Sequence, residues 1–230
     1  MHMFCASRLI LASQCLLLAC SCAWGQGNLV GHIQQTEKSV VGIQTELSKT
    51  MPTNPPRMAT FERTAAGLII DPSGIIVTNT HTIIHAPLIF IFLRDGTKLR
   101  AHIIFSSKRY DFSFLKIKPP YPLRAIQWAN SSIVKVGKPI VAIRNIDHNN
   151  QSILYGHIKK TFHGPFSRSN DFLELDLALR HGDSGGPILD EQGRLLGIIM
   201  AKRESRPNSS IAIASNKIHQ QYLQYKKNMP

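Results

Sequence analysis

The residues best placed to do chemistry lie in one run, His181-Gly182-Asp183-Ser184-Gly185-Gly186-Pro187. A serine between glycines can sit on a tight turn that lifts its hydroxyl clear of the backbone. The same turn can aim amide N–H groups, those of Gly182 and Ser184 with Asp183 between them, at the oxyanion formed when a carbonyl is attacked. A plain glycine-proline turn between strands accounts for the glycines. It does not account for the order acid, serine, glycine pair, proline. A serine nucleophile also needs a base within reach and an acid that orients the base.

The base candidate is His81, which closely follows the predicted strand 75–79 and so stands where a rigid strand could aim it. His85, four residues on, would share a helix face with it, as zinc ligands do. Zinc proteases of that type need a glutamate directly after the first histidine, and here Thr82 stands there. No third ligand stands out, so neither a metal nor a cofactor is expected. The acid candidate is Asp111, at the head of the apolar run 112–117. Asp71, Asp95 and Asp190 sit in turns and are weaker candidates. Asp176, near the serine, is expected to brace the serine loop.

These residues need a scaffold, and the chain reads as all-β. A hairpin is predicted over 65–70 and 75–79, joined by Asp71-Pro72-Ser73-Gly74, where Pro72 presets its own φ and Gly74 takes the turn's positive one. Further strands are predicted over 87–93, 97–105 and 112–117. Pro119, Pro120 and Pro122 then mark a join between two halves. The second half carries short strands near 139–143, 151–161, 172–175, 187–189, 195–201 and 210–214, the pattern of antiparallel barrels or sandwiches. A helix is expected over 216–226 behind Ser215. Residues 26–38 read as a short helix or loosely ordered chain. Residues 48–58, with Pro52, Pro55 and Pro56, read as a long surface loop.

The chain has 230 residues, 43% hydrophobic and 18% charged, which suits one large all-β domain or two packed halves. Its net charge of +13 draws it to anionic partners, an anionic membrane surface among them. The basic residues are scattered pairs without interleaved aromatics, so no nucleic-acid site is expected. All four cysteines (Cys5, Cys15, Cys20, Cys22) lie in the first 22 residues. That opening, basic then apolar then small, reads as an export signal over 1–25, cut after Ala23 or Gly25. Leu17-Leu18-Ala19-Cys20 gives a second reading, a lipoprotein signal with Cys20 as the lipid-anchored N-terminus. Either way the protein is expected outside the cytoplasm, periplasmic or secreted.

The motifs together resemble trypsin-fold serine proteases of the HtrA/Deg family. The matching pieces are the runs 67–71, 74–81, 111–116, 131–143, 175–178, 182–187 and 211–216, in the family's order His, Asp, Ser. The resemblance implies two six-stranded antiparallel β-barrels of the trypsin type with a C-terminal helix. The first barrel would span about 36–120 and the second about 121–214, with the helix over 215–227, all within a protease domain over 26–230. It implies a catalytic triad of His81, Asp111 and Ser184 and an oxyanion hole from Gly182, Asp183 and Ser184. A primary pocket would be shaped by Ala178, Leu179 and Arg180, small and uncharged at Ala178. Exported cleavage of unfolded or exposed protein segments follows, with protein or peptide substrates and a homotrimer of the kind family members form through the N-terminal part of the protease domain, a role that residues 28–39 do not by themselves reveal. The chain departs from the family at Arg180-His181, where the family has Asn-Pro, at Asp183 (usually Asn) and at Ser113 (usually Ala). The family's PDZ domain has no counterpart after the helix, so regulation through one is not expected within these residues. Because Arg180-His181 could close the oxyanion hole, a silent binding or chaperone-like protein of the same fold is the second reading. A glutamate-specific protease is the third.

Overall fold

The computed structural model describes residues 26–55, 57–147, 150–164, 170–180, 182–202 and 208–229. The expected signal segment with Cys20, and His181 of the serine turn, lie outside the described residues. Helix α1 (Gln26–Glu37) leads into strand β1 (Val40–Met51) and an antiparallel partner β2 (Arg57–Asp71). Their register runs unbroken from Val40 opposite Leu68 to Met51 opposite Arg57. The surface loop expected over 48–58 is therefore mostly strand. Pro52 and Pro55 lie between the two strands, and the backbone pairing on either side needs no alternating sequence pattern to hold.

The first sheet continues through β3 (Ile75–Thr78), β4 (Leu88–Phe92), β5 (Lys98–Arg100), β6 (His102–Ser106) and β7 (Ser113–Lys116). Its order is β5-β4-β1-β2-β3-β7-β6. The strand expected over 97–105 is broken at Ala101, which is buried in the core and whose amide donates to the Ile89 carbonyl at 2.9 Å. One half of that run pairs with β4 and the other with β7. The first half is thus a seven-stranded half-barrel sheet whose edge strands β5 and β6 are separated by Ala101 alone, in keeping with the expected two-barrel fold, with one expected strand divided in two.

The second half closes as the expected six-stranded barrel. Strands β8 (Pro139–Asp147), β9 (Asn150–His163), β10 (Asn170–Leu175), β11 (Pro187–Leu189), β12 (Leu195–Lys202) and β13 (Ser210–Ala214) are ordered β10-β13-β12-β11-β8-β9. The connection between the halves bonds to both, through Ile126 N–H to the Ile69 carbonyl at 2.8 Å and Leu195 N–H to the Gln127 carbonyl at 2.7 Å. A shared apolar cluster joins Leu68, Val77, Phe112 and Phe114 of the first half to Val141, Ile143, Leu189 and Ile213 of the second. Burying each of the larger side chains is worth about 1.5–3 kcal/mol, so the halves are held by core packing where the site must form.

Helix α3 (Ser215–Lys227) seals this cluster with Ile218 and Tyr222. The Tyr222 hydroxyl donates to Asp71 Oδ2, and Lys226 Nζ lies 3.3 Å from the same oxygen. Burial alone would raise the Asp71 carboxyl, but hydrogen bonds from Tyr222 and Ser73 outweigh it and hold it far below the usual carboxylate range. Burial and the same bond push the Tyr222 phenol above its usual range. Asp71, which reads as a plain turn residue in the sequence, is thus also the anchor of the C-terminal helix.

Candidate active site

Strand β3 ends at Thr78, and the chain turns at once into the one-turn helix α2 (Thr80–Ile83), which carries His81. Asp111 stands just before β7, the strand paired with β3. Pairing Thr78 with Ser113 places histidine and acid side by side at one end of two neighbouring strands. His81 Nδ1 lies 2.5 Å from Asp111 Oδ2, and the His81 main-chain N–H donates to Asp111 Oδ1 at 2.9 Å. Asn79 Nδ2 donates to the Asp111 carbonyl at 2.9 Å, which fixes the acid's backbone. A carboxylate facing Nδ1 keeps a proton on that nitrogen and leaves Nε2 as the acceptor. Half of the His81 side chain stays exposed, and the residue lines a cleft. His85 falls beyond the helix in the left-handed region (φ 64°), off any shared helix face.

Ser184 reaches the same place from the second half. A cleft of about 430 Å³ is lined by Arg63, Thr64, His81, Thr82, Gly182 and Ser184. The serine turn is stitched to the first half by Ala66 N–H to the Ser184 carbonyl at 2.9 Å, and Thr78 Oγ1 donates to the Ala66 carbonyl at 2.8 Å. Gly185 must be glycine here. Its φ is +83°, and an added Cβ would lie 2.0 Å from the Ala66 carbonyl oxygen. Gly182, at φ +95°, shapes the turn before the serine. Among the described residues no hydrogen bond joins Ser184 Oγ to His81 Nε2. Such bonds are often long without substrate and tighten when it binds.

The other expected site residues divide. The Asp183 amide donates to the Arg180 carbonyl at 3.2 Å, which takes it away from an oxyanion and leaves the amides of Gly182 and Ser184. Leu179 is 4% exposed and packs into the second barrel's core, so its side chain does not line a pocket. The backbone on either side leaves Ala178 and Arg180 exposed. Asp176 does not brace the serine loop. Its carboxylate accepts the His157 N–H at 2.5 Å and lies 3.2 Å from His157 Nδ1. Ser113, a departure from the resembled family, is fully buried and links the hydroxyls of Thr80 and Ser106, each at 2.8 Å.

Sequence reasoning missed two partners. Arg144 Nε donates to both oxygens of Asp183, each at 2.9 Å. The signal was there: a cation at the end of the apolar run 139–143 must find a counter-charge if the strand is buried. Tyr110, next to Asp111, donates from its hydroxyl to the fully buried Asp171 across the interface at 2.8 Å. Nothing local in the sequence points to that pair.

A family model described as a trypsin-like peptidase domain matches residues 65–198, more than half of the chain and all three of His81, Asp111 and Ser184. The chain belongs to the trypsin-like peptidase family. Among curated relatives of this family member, the periplasmic serine endoprotease DegP of Escherichia coli K12 is 31% identical over 164 residues, covering 69% of this chain and 35% of DegP. The serine endoprotease DegS of the same strain is 31% identical over 169 residues, covering 72% of this chain and 46% of DegS. A probable periplasmic DegP-like endoprotease of Buchnera aphidicola is 32% identical over 145 residues, covering 62% of this chain and 31% of its own. The match therefore spans under half the length of each of these relatives. Among solved structures, an HtrA-type protease, AlgW, with a decapeptide superposes with a TM-score of 0.74 at 23% identity, covering 85% of this chain and 67% of the other. The two-half β architecture with a C-terminal helix is that of the trypsin-like fold.

Proposed function

We propose that this chain is a serine endopeptidase that hydrolyses peptide bonds in unfolded or exposed protein segments. The observation that carries the reading is the His81–Asp111 contact of 2.5 Å on the cleft that Ser184 also lines. Ser184 Oγ attacks the scissile carbonyl while His81 Nε2 takes its proton. The amides of Gly182 and Ser184 hold the oxyanion of the tetrahedral intermediate. His81 then returns the proton to the leaving amine, an acyl-enzyme remains on Ser184, and water releases it by the same steps in reverse. Asp111 holds the histidine tautomer and balances the imidazolium charge during both attacks.

The periplasmic serine endoproteases among the relatives support export of this chain too. Assembly into trimers through residues 28–39 and attraction to anionic membrane surfaces belong to the same proposal. Within that segment Leu29 and Ile33 are buried against the chain itself and Val30 is exposed. A fluorophosphonate probe should label Ser184 in the wild type and not in Ser184→Ala, and casein should be cut by the first alone. Wild-type protein that melts cooperatively yet neither takes the probe nor cuts casein would sink the reading in favour of a silent binding protein. Mass spectrometry of the casein fragments reads the cut sites, and cuts confined to glutamate would point to the third reading.

A further inference from the structure

We propose that Arg144 is a positioning residue for the serine turn, acting through Asp183 as an internal counter-ion; this rests on the endopeptidase reading above. Asp183 immediately precedes Ser184, and its side chain points into the barrel, 3% exposed. It accepts both 2.9 Å contacts from Arg144 Nε, and Oδ2 also accepts the Arg180 main-chain N–H at 2.6 Å. The Asp183 backbone closes the same turn from both sides. Its N–H donates to the Arg180 carbonyl at 3.2 Å, and its carbonyl accepts Gly186 N–H at 3.0 Å. One residue thus ties residues 180 and 186 together around the amides of Gly182 and Ser184.

The register explains why Arg144 is the partner. Strand β11 pairs with β8 with Ile188 opposite Ala142, so the chain entering β11 from the serine turn runs past residues 143 and 144. The approach is close: a Cβ on Gly186 would lie 2.8 Å from the Ile143 carbonyl oxygen. The Arg144 side chain is itself only 12% exposed. A carboxylate this deep is tolerated when a cation and hydrogen bonds satisfy it, and left alone it seeks water or a proton. Without Arg144, the cheapest escape for Asp183 is to swing out of the barrel. That releases Arg180 N–H and reorients the two amides that an oxyanion requires. Arg144 touches no substrate on this account. Its effect falls on the transition state, where the amides matter, more than on ground-state binding.

The test compares wild type, Arg144→Gln, Arg144→Lys and the double variant Arg144→Gln/Asp183→Asn. Arg144→Gln should lower kcat by about 10²-fold, the size of losing one oxyanion donor, with KM within about threefold. Arg144→Lys keeps a cation and should recover part of that loss. The double variant removes both charges and keeps an oxygen for Arg180 N–H, and should return kcat to within about tenfold of wild type. Hydrogen exchange over residues 180–186, read by mass spectrometry, should rise in Arg144→Gln and fall back in the double variant. Unchanged kcat and exchange in Arg144→Gln, or a double variant no better than the single one, overturns the proposal. If even the wild type cuts nothing, the endopeptidase reading fails, and the exchange data alone decide whether Arg144 orders the turn.

Discussion

Replacing Asp111 with asparagine changes one oxygen to an NH₂ group and nothing in shape. The Asp111 carboxylate accepts two N–H groups from His81, the main-chain amide at 2.9 Å and ring Nδ1 at 2.5 Å. Asparagine can accept only one of them. The main-chain amide cannot give up its proton, whereas the ring can move its own from Nδ1 to Nε2. The amide oxygen therefore takes the main-chain N–H, and the NH₂ group faces Nδ1. That leaves His81 protonated on Nε2, unable to take the Ser184 proton, with no counter-charge for an imidazolium. The same exchange in a Ser-His-Asp triad protease costs about 10⁴ in kcat, or about 5.4 kcal/mol at about 1.36 kcal/mol per tenfold. The assay is kcat on an internally quenched peptide, together with the rate of fluorophosphonate labelling. Both should fall by about 10⁴, with KM within about threefold and an unchanged melting temperature. Retention of kcat within about tenfold of wild type in a folded Asp111→Asn protein would refute the assigned role and with it the tautomer argument.

Gly185→Ala should lower stability by more than about 3 kcal/mol, since both its φ of +83° and the 2.0 Å approach to the Ala66 carbonyl must relax; a wild-type melting curve refutes the packing described. Tyr110→Phe strips a donor from the fully buried Asp171 and should cost about 2 kcal/mol, seen as a fall of about 4–8 °C in thermal unfolding. Tyr222→Phe should show a pH window. The lowered Asp71 pKa adds stability above the ordinary carboxylate range that is lost as pH falls, and the raised Tyr222 pKa adds stability below the ordinary phenol range that is lost as pH rises. The melting-temperature gap from wild type should therefore be widest between about pH 5 and 9 and close towards about pH 2; a gap that does not vary with pH refutes the pairing.

Pieces whose chemistry is local were legible in the residues alone. The glycines around Ser184, the turn Asp71-Pro72-Ser73-Gly74 and the short strand runs that make an all-β chain are each written in a few neighbouring residues, because backbone angles and side-chain alternation act over that range. His81 and Asp111 were legible as candidates for the same reason, each placed at the end of an apolar run. Which of them touch was set by the packing of strands distant in the chain. The length of the β1–β2 hairpin, the break at Ala101, the inward turn of Leu179 and the loss of the Asp183 amide to Arg180 all depend on what packs opposite. Arg144 and Asp183 are 39 residues apart, and Tyr110 and Asp171 are 61 apart. No local pattern encodes such pairs, because a buried charge is matched by whichever residue the closed barrel brings beside it.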